Sequence, residues 1–466
     1  MNHDEHATQL KQFRQEVYQN FNKRADTLMD LLDALSSNTS AQSVVELSLN
    51  PVFRRDDSAL FTALDEWEPA KADKNLAQLA APYLPQPARL PFWLLGTDVT
   101  PQPRLHARTL EDRSYVHQPN LLKSNKPITI GHAYSSVALL PEEEYEHGPA
   151  WVVPLSVQRV KSSEDKEMVG ALQIQALLDD QALPFHAQLC VEVEDSGYSK
   201  PAFLAKNRAK TNLVTITRAR NNRTFYRQPA EPTQAAGHPT WYGAPFSLPD
   251  PTPWSKPDAT ATTSMRSLSG KTYQVQIEAW HNMLMPGKCK PVPLPMHLHP
   301  FTLVRIRLLN AQGEPAFQRP LWLIVMGERR GELTLLNIFQ AYQRRYDLEH
   351  FFRFGKQRLL TDRYQTPDTD HEEKWWRMSH LAYLQLWVAR PIAQAVPRPW
   401  EAAPPFGAHP KPPLSPTHVQ RDFGRIVRQF GTPAAAPKRR GNSAGRPKGT
   451  VLPHRPCAAV VYKGQT

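Results

Sequence analysis

Residues 342–356 read Y-Q-R-R-Y-D-L-E-H-F-F-R-F-G-K, from Tyr342 to Lys356. The stretch reads as a helix, and four of its side chains share one side of it. Tyr342, Arg345, Glu349 and Lys356 follow one another at spacings of three, four and seven. At roughly 100° per residue they fall within an arc of about 60°. That face offers a carboxylate, two cations and a phenol. A carboxylate flanked by cations at this reach suits a metal ion held beside a phosphodiester. The metal takes the carboxylate oxygen, while guanidinium and ammonium take phosphate oxygens. Taken alone, a mixed-charge helix face is more often a solvated surface laced with i,i+4 ion pairs.

The spacing is more specific than the charge. Y-x2-R-x3-E-x6-K resembles the signature of bacterial DDE transposases, in particular the large insertion-sequence family usually numbered four, and every interval matches. The resemblance implies two more carboxylates upstream, each at the end of a buried strand. Two such ends are present. The run FWLLGT leads into Asp98, and the run LCVEVE leads into Asp195. Each Asp also has an ordinary reading as a turn residue, Asp98 before V-T-P and Asp195 in D-S-G. Asp179 and Asp180 are poorer candidates because they sit in or at the end of a helix. Glu192 and Glu194 alternate with apolar neighbours and read as the exposed face of their strand.

Around these strands the chain sets a regular order. PFWLLGTDVT, KPITIGHAYSSVALLP and PAWVVPLSVQRV are strand candidates bounded by Pro and Gly. EDKEMVGALQIQALLDDQA has helical periodicity over about five turns. HAQLCVEVEDSGYSKPAFLAK then gives a strand and a helix, and TNLVTITRAR a last strand. The order β-β-β-α-β-α-β predicts an α/β, ribonuclease-H-like catalytic domain, an analogy at the level of fold. Its first part spans residues 90–220 and its C-terminal helices span 334–395. Residues 221–333 read as a β-rich insertion, Pro-rich at first and then strands (KTYQVQIEAWHNM, FTLVRIRLLN, PLWLIVMG). Several transposases carrying the Y-R-E-K signature have a β-rich insert at this point. Residues 1–85 read as helical, either a DNA-binding module or a packing accessory.

Composition narrows the partners. The 466-residue chain carries a net charge of +12, and residues 401–466 hold eleven Lys or Arg against Glu401 and Asp422. A basic tail (396–466, Pro-rich and read as irregular) implies a polyanion, most simply nucleic acid. The GRP core of its KRRGNSAGRPKG segment reads first as non-specific phosphate contact. Nothing in the chain is apolar for long enough to span a membrane, and the polar N-terminus lacks an apolar signal core, so a cytoplasmic location is expected. Cys190, Cys289 and Cys457 lie far apart, form no metal-type pair and are expected to carry no chemistry.

Phosphodiester chemistry needs an activated oxygen nucleophile and a stabilised leaving oxygen, which two divalent ions on shared carboxylates can serve. The resemblance assigns Asp98, Asp195 and Glu349 to that metal-binding triad, with Mg²⁺ expected and Mn²⁺ as a substitute. It assigns Tyr342, Arg345 and Lys356 to phosphate contacts near a transposon end. It implies cleavage at insertion-sequence ends and strand transfer into target double-stranded DNA, by a homodimer or larger synaptic complex on inverted repeats. Trp241, Trp254 and Trp280 are candidates for stacking a flipped base, with core packing the better reading of Trp280. His297 and His299 in M-H-L-H-P share one face of a predicted strand and could supply half a metal site, although a surface role fits better. An inactive DNA-binding descendant and another ribonuclease-H-like nuclease are the alternatives.

Overall fold

In a computed structural model the described residues are 3–118, 127–142, 148–229, 240–267, 269–288, 293–395, 413–438, 445, 447–451 and 454–462. They build a mixed α/β architecture around a ten-stranded sheet. Helices α1 (His3–Asn20), α2 (Ala25–Ser36), α3 (Val44–Leu47), α4 (Asp57–Glu66) and α5 (Leu76–Ala80) come first. The strands β1 (Trp93–Pro103), β2 (Ser114–His117), β3 (Ile128–Leu139) and β4 (Val153–Val160) follow. Helix α6 (Lys166–Asp179), β5 (Cys190–Glu194), α7 (Pro201–Arg208) and β6 (Leu213–Arg218) complete the first half. This is the expected element order, with β2 added as a short extra strand.

The sheet runs β3-β1-β5-β6 at its centre, with β2 and β4 sharing the far edge of β3. β1, β5 and β6 are mutually parallel, as helical crossovers through α6 and α7 require, while β3 is antiparallel to β1. A parallel strand at the centre is covered on both faces, and every residue of β5 is buried.

Residues 221–333 do not form a separate β body. A small pair, β7 (Thr224–Tyr226) and β8 (Pro245–Ser247), forms a second sheet, and Tyr226 also bridges to Leu284. Strands β9 (Ala259–Arg266), β10 (Thr272–Met283), β11 (Phe301–Leu309) and β12 (Leu321–Met326) instead prolong the main sheet beyond β6 in the order β12-β11-β10-β9. The pairing is antiparallel throughout, with β12 laid against β6.

Helices α8 (Leu335–Arg344), α9 (Asp347–Arg358) and α10 (Thr369–Ala395) close the molecule. α10 buries Trp375, Met378, Tyr383 and Leu386 and packs against α1, α2 and β4. α2 is buried from Thr27 to Ser36, so it has no free face for reading a DNA groove. A paired charge fixes it: Arg14 Nη1 and Nη2 donate to Asp33 at 2.5 and 2.9 Å, and Gln385 of α10 accepts from the same guanidinium. Such a pair holds register only because each charge is satisfied in the interior.

The C-terminal segment departs from the irregular tail expected of it. Pro416–Phe430 forms helix α11, whose Val419, Phe423, Ile426 and Val427 are buried against α10, α2 and α9. These positions repeat at helical spacing, and their burial overrides the Pro-rich, basic composition around them. Further on, Val461 bridges to Ser114 at the edge of β2. Most of the KRRGNSAGRPKG segment, and Cys289, lie outside the described residues. Among the described residues no helix is long and apolar enough to cross a membrane.

Candidate active site

β1 and β5 carry their aspartates to the same place. Gly96 pairs with Val193 across the two parallel strands, and Asp98 and Asp195 each stand two residues further on. Alternation then sends Asp98 and Gly96 to one face of the sheet and Thr97 to the other. α9 lies on the first face. A Cβ on Gly96 would stand 2.9 Å from Leu348 Cδ1, so the missing side chain is what lets α9 settle against β1. The neighbour of Leu348 in sequence is Glu349.

The expected single helix over 342–356 is two helices, α8 and α9, joined through Arg345 and Tyr346. Both residues keep right-handed helical angles, but the hydrogen bonds tighten to i→i+3: Arg345 N–H to Tyr342 O, and Leu348 N–H to Arg345 O. Of the four signature residues, Arg345 and Lys356 reach β1, while Tyr342 on α8 lies nearer β5 and β6. Arg345 donates from Nη1 to Glu349 Oε1 at 2.9 Å and from Nη2 to Asp98 Oδ2 at 3.2 Å. Lys356 Nζ donates to the carbonyl of Pro101 on β1 at 2.8 Å. That contact places the ammonium on the strand just past Asp98, against backbone and not free in solvent. Burial pushes the Tyr342 phenol up to about 12, with the charges of Arg345, Arg218, Asp195 and Glu194 all acting on it.

The electrostatics of Asp98 follow from its position. Its side chain and that of Arg345 are each 17% exposed. Burial pushes its carboxyl up to about 6; Arg345 pulls it down, Asp195 pushes it up, and Val99 N–H and Lys166 pull it down. Asp195 caps the turn Ser196–Tyr198, accepting from Gly197 N–H at 2.7 Å.

Lys166 escaped the reading of the sequence. It begins α6 right after Asp165, and a cation in a first helical turn works against the helix dipole. That mismatch was the available signal.

The opposite face of the same strands overturns another expectation. Glu192 and Glu194 are fully buried, not the exposed side of β5. Glu192 accepts from Thr97 Oγ1 at 2.6 Å and from Asn207 Nδ2 at 2.7 Å. Among the described residues Glu194 meets no hydrogen-bond donor. Burial and the nearby Glu192, Asp195 and Asp98 push its carboxyl well above the usual range.

The other candidates disperse. His297 lies in a 3₁₀ turn, Met296–Leu298, not a strand, and its ring stacks on the exposed indole of Trp241 at 4.2 Å. Pro295 and Pro300 flank that stretch and keep it from pairing in a sheet. Trp254 and Trp280 belong instead to an aromatic cluster with Phe246 and Trp322, topped by Arg305. Cys190 is buried in β5, where burial raises its thiol to about 12.

A family model described as DDE superfamily endonuclease matches residues 16–287. The chain belongs to the DDE superfamily endonucleases. Membership makes DNA the substrate class and divalent-metal chemistry the expectation. The matched region contains both Asp98 and Asp195 and ends before α9, so the part of Glu349 in this endonuclease rests on geometry and on the spacing of its signature. No curated protein matches the chain.

The residues fit a hard cation by their chemistry. Three carboxylates on two strand ends and one helix are oxygen donors of the kind Mg²⁺ prefers. One oxygen of Asp195 and one of Glu349 are left without a hydrogen bond among the described residues. Among those residues no three of His, Cys, Asp and Glu stand close enough together to hold a metal. Arg345 lies between two of the three.

Proposed function

We propose that this endonuclease is a transposase that cuts DNA at the ends of an insertion sequence and joins the cut strand to target DNA. The observation that carries the reading is the convergence of Asp98 and Asp195, at the ends of adjacent parallel strands, beneath the helix bearing Glu349 and Arg345. The core order β4-β3-β1-β5-β6, with β3 antiparallel to β1, supports a ribonuclease-H-like domain. In this reading Asp98, Asp195 and Glu349 hold Mg²⁺, or Mn²⁺ in its place, as two ions. When bound, such ions supply an acidified oxygen nucleophile and charge at the leaving oxygen. The chain's own work is to fix the donors on rigid elements, exclude water beneath α9 and orient phosphates with Tyr342, Arg345 and Lys356. Two ends cut together call for a dimer or larger synaptic complex on inverted repeats, acting in the bacterial cytoplasm at the nucleoid.

The test is incubation of DNA carrying the element's own flanking ends with Mg²⁺, with free ends and joined strands resolved separately. Wild type is expected to give both products and Asp98→Asn neither. Cutting without joining makes the chain a nuclease of another kind. Binding without cutting by either protein makes it an inactive DNA-binding descendant.

A further inference from the structure

We propose that Arg345 acts as a built-in counterion that holds the site against the metal until a DNA phosphate draws it away. The proposal rests on the metal-site reading given above. One guanidinium bridges Asp98 and Glu349, contacting the first at 3.2 Å and the second at 2.9 Å. It therefore sits where a cation shared by those carboxylates would sit. Two positive species cannot both occupy that position, because each would lose the attraction that draws it there and face the other's charge at close range.

The guanidinium also has somewhere to go. Its Nε is buried without an acceptor among the described residues, so the site satisfies the fork only in part. A phosphate oxygen pair matches that fork better than two carboxylates on separate elements. Glu349, more exposed than Arg345, lies on the open side of the pair. A phosphate arriving there can take the guanidinium and leave Asp98 and Glu349 free for the cation. Metal and DNA then raise each other's affinity by the same factor, as linkage demands. Free enzyme would hold metal poorly, and the nuclease would be armed only on its substrate.

The experiment is Mn²⁺ binding, followed by the loss of the free-ion electron paramagnetic resonance signal, with and without a short DNA duplex. Wild type is expected to bind Mn²⁺ about tenfold more tightly with DNA than without it. Arg345→Gln should bind Mn²⁺ more tightly than wild type in the absence of DNA and lose most of the response to DNA. Arg345→Lys, which keeps the charge but cannot span both carboxylates, should fall between. Asp98→Asn and Glu349→Gln should abolish binding in both conditions. If Arg345→Gln binds no better than wild type while binding still needs Asp98 and Glu349, the counterion role is overturned and the metal site stands. If binding ignores Asp98 and Glu349 altogether, the metal-site reading itself fails.

Discussion

β1 and β5 carry two sets of acids on their two faces, and the sets live in opposite conditions. Under α9, Asp98 and Asp195 stand among cations: Arg345 touches Asp98, and Lys166 acts on it. Under α6 and α7, Glu192 and Glu194 are sealed; Glu192 accepts from Thr97 and Asn207, and among the described residues no cation pairs with either. An acid without a cation in a closed interior holds its proton more tightly. An acid that keeps cations near stays ready to exchange one positive partner for another. The contrast teaches that residue type marks neither set as functional; the charges packed around each set do.

The widest gap between the faces is expected in turnover. Asp195→Asn should cut cleavage by about 10³-fold or more, since in the proposed site it removes one of the three metal ligands. DNA binding, measured by fluorescence anisotropy, should change little. Glu194→Gln replaces a buried carboxyl by an amide of the same shape and should keep cleavage within a few-fold. An equal loss in both variants would erase the distinction between the faces.

Gly96 and Gly170 give the next contrast. Each lies where a helix meets β1: a Cβ at Gly96 would press Leu348 of α9, and one at Gly170 would stand 2.9 Å from Thr97 Cγ2. Gly96→Val should displace α9 and lower cleavage by roughly 10–100-fold, because misplacement near 1 Å is that costly. Gly170→Ala should cost stability, about 1–3 kcal/mol by overpacking, with a smaller loss of cleavage. A Gly170→Ala variant that loses cleavage while melting like wild type would reverse the assignment of the two faces.

The smallest effect is in pH dependence. The folded-state Asp98 carboxyl is pushed up to about 6, above its ordinary 3.8. A raised pKa means stability that is fully present below the unfolded value and lost as pH rises through about 6. Each tenfold change in proton affinity is worth roughly 1.4 kcal/mol, so the loss is a few kcal/mol at most. Metal-free Asp98→Asn, which does not titrate there, should therefore gain melting temperature relative to wild type between pH 4 and pH 7. Parallel melting curves for the two proteins would mean that Asp98 is solvated as an ordinary surface acid.

Much of this arrangement was legible in the residues. Apolar runs ending in Asp98 and Asp195, and the spacing of Tyr342, Arg345, Glu349 and Lys356, point to the elements that meet. The burial of Glu192 and Glu194 was not legible. Their alternation with Val looks like a half-exposed strand, and only the central position of β5 between parallel neighbours removes its exposed face. The hydrogen-bond partners of Glu192, Thr97 and Asn207, come from other elements. The extension of the sheet through β12 depends on pairing with β6 across more than a hundred residues of chain, which no local pattern encodes. Helix α11 was the reverse case: its apolar spacing was present, and the prolines and arginines around it concealed it.

The most direct test of the central claim is cleavage of end-bearing DNA in Mg²⁺ by Glu349→Gln, beside its affinity for the same DNA. Glu349 lies outside the family match and is the one acid of the three supplied by α9. The account predicts no detectable cleavage with binding largely intact. Normal cleavage by Glu349→Gln would contradict it, because the helix would then roof the two aspartates without supplying the third metal ligand.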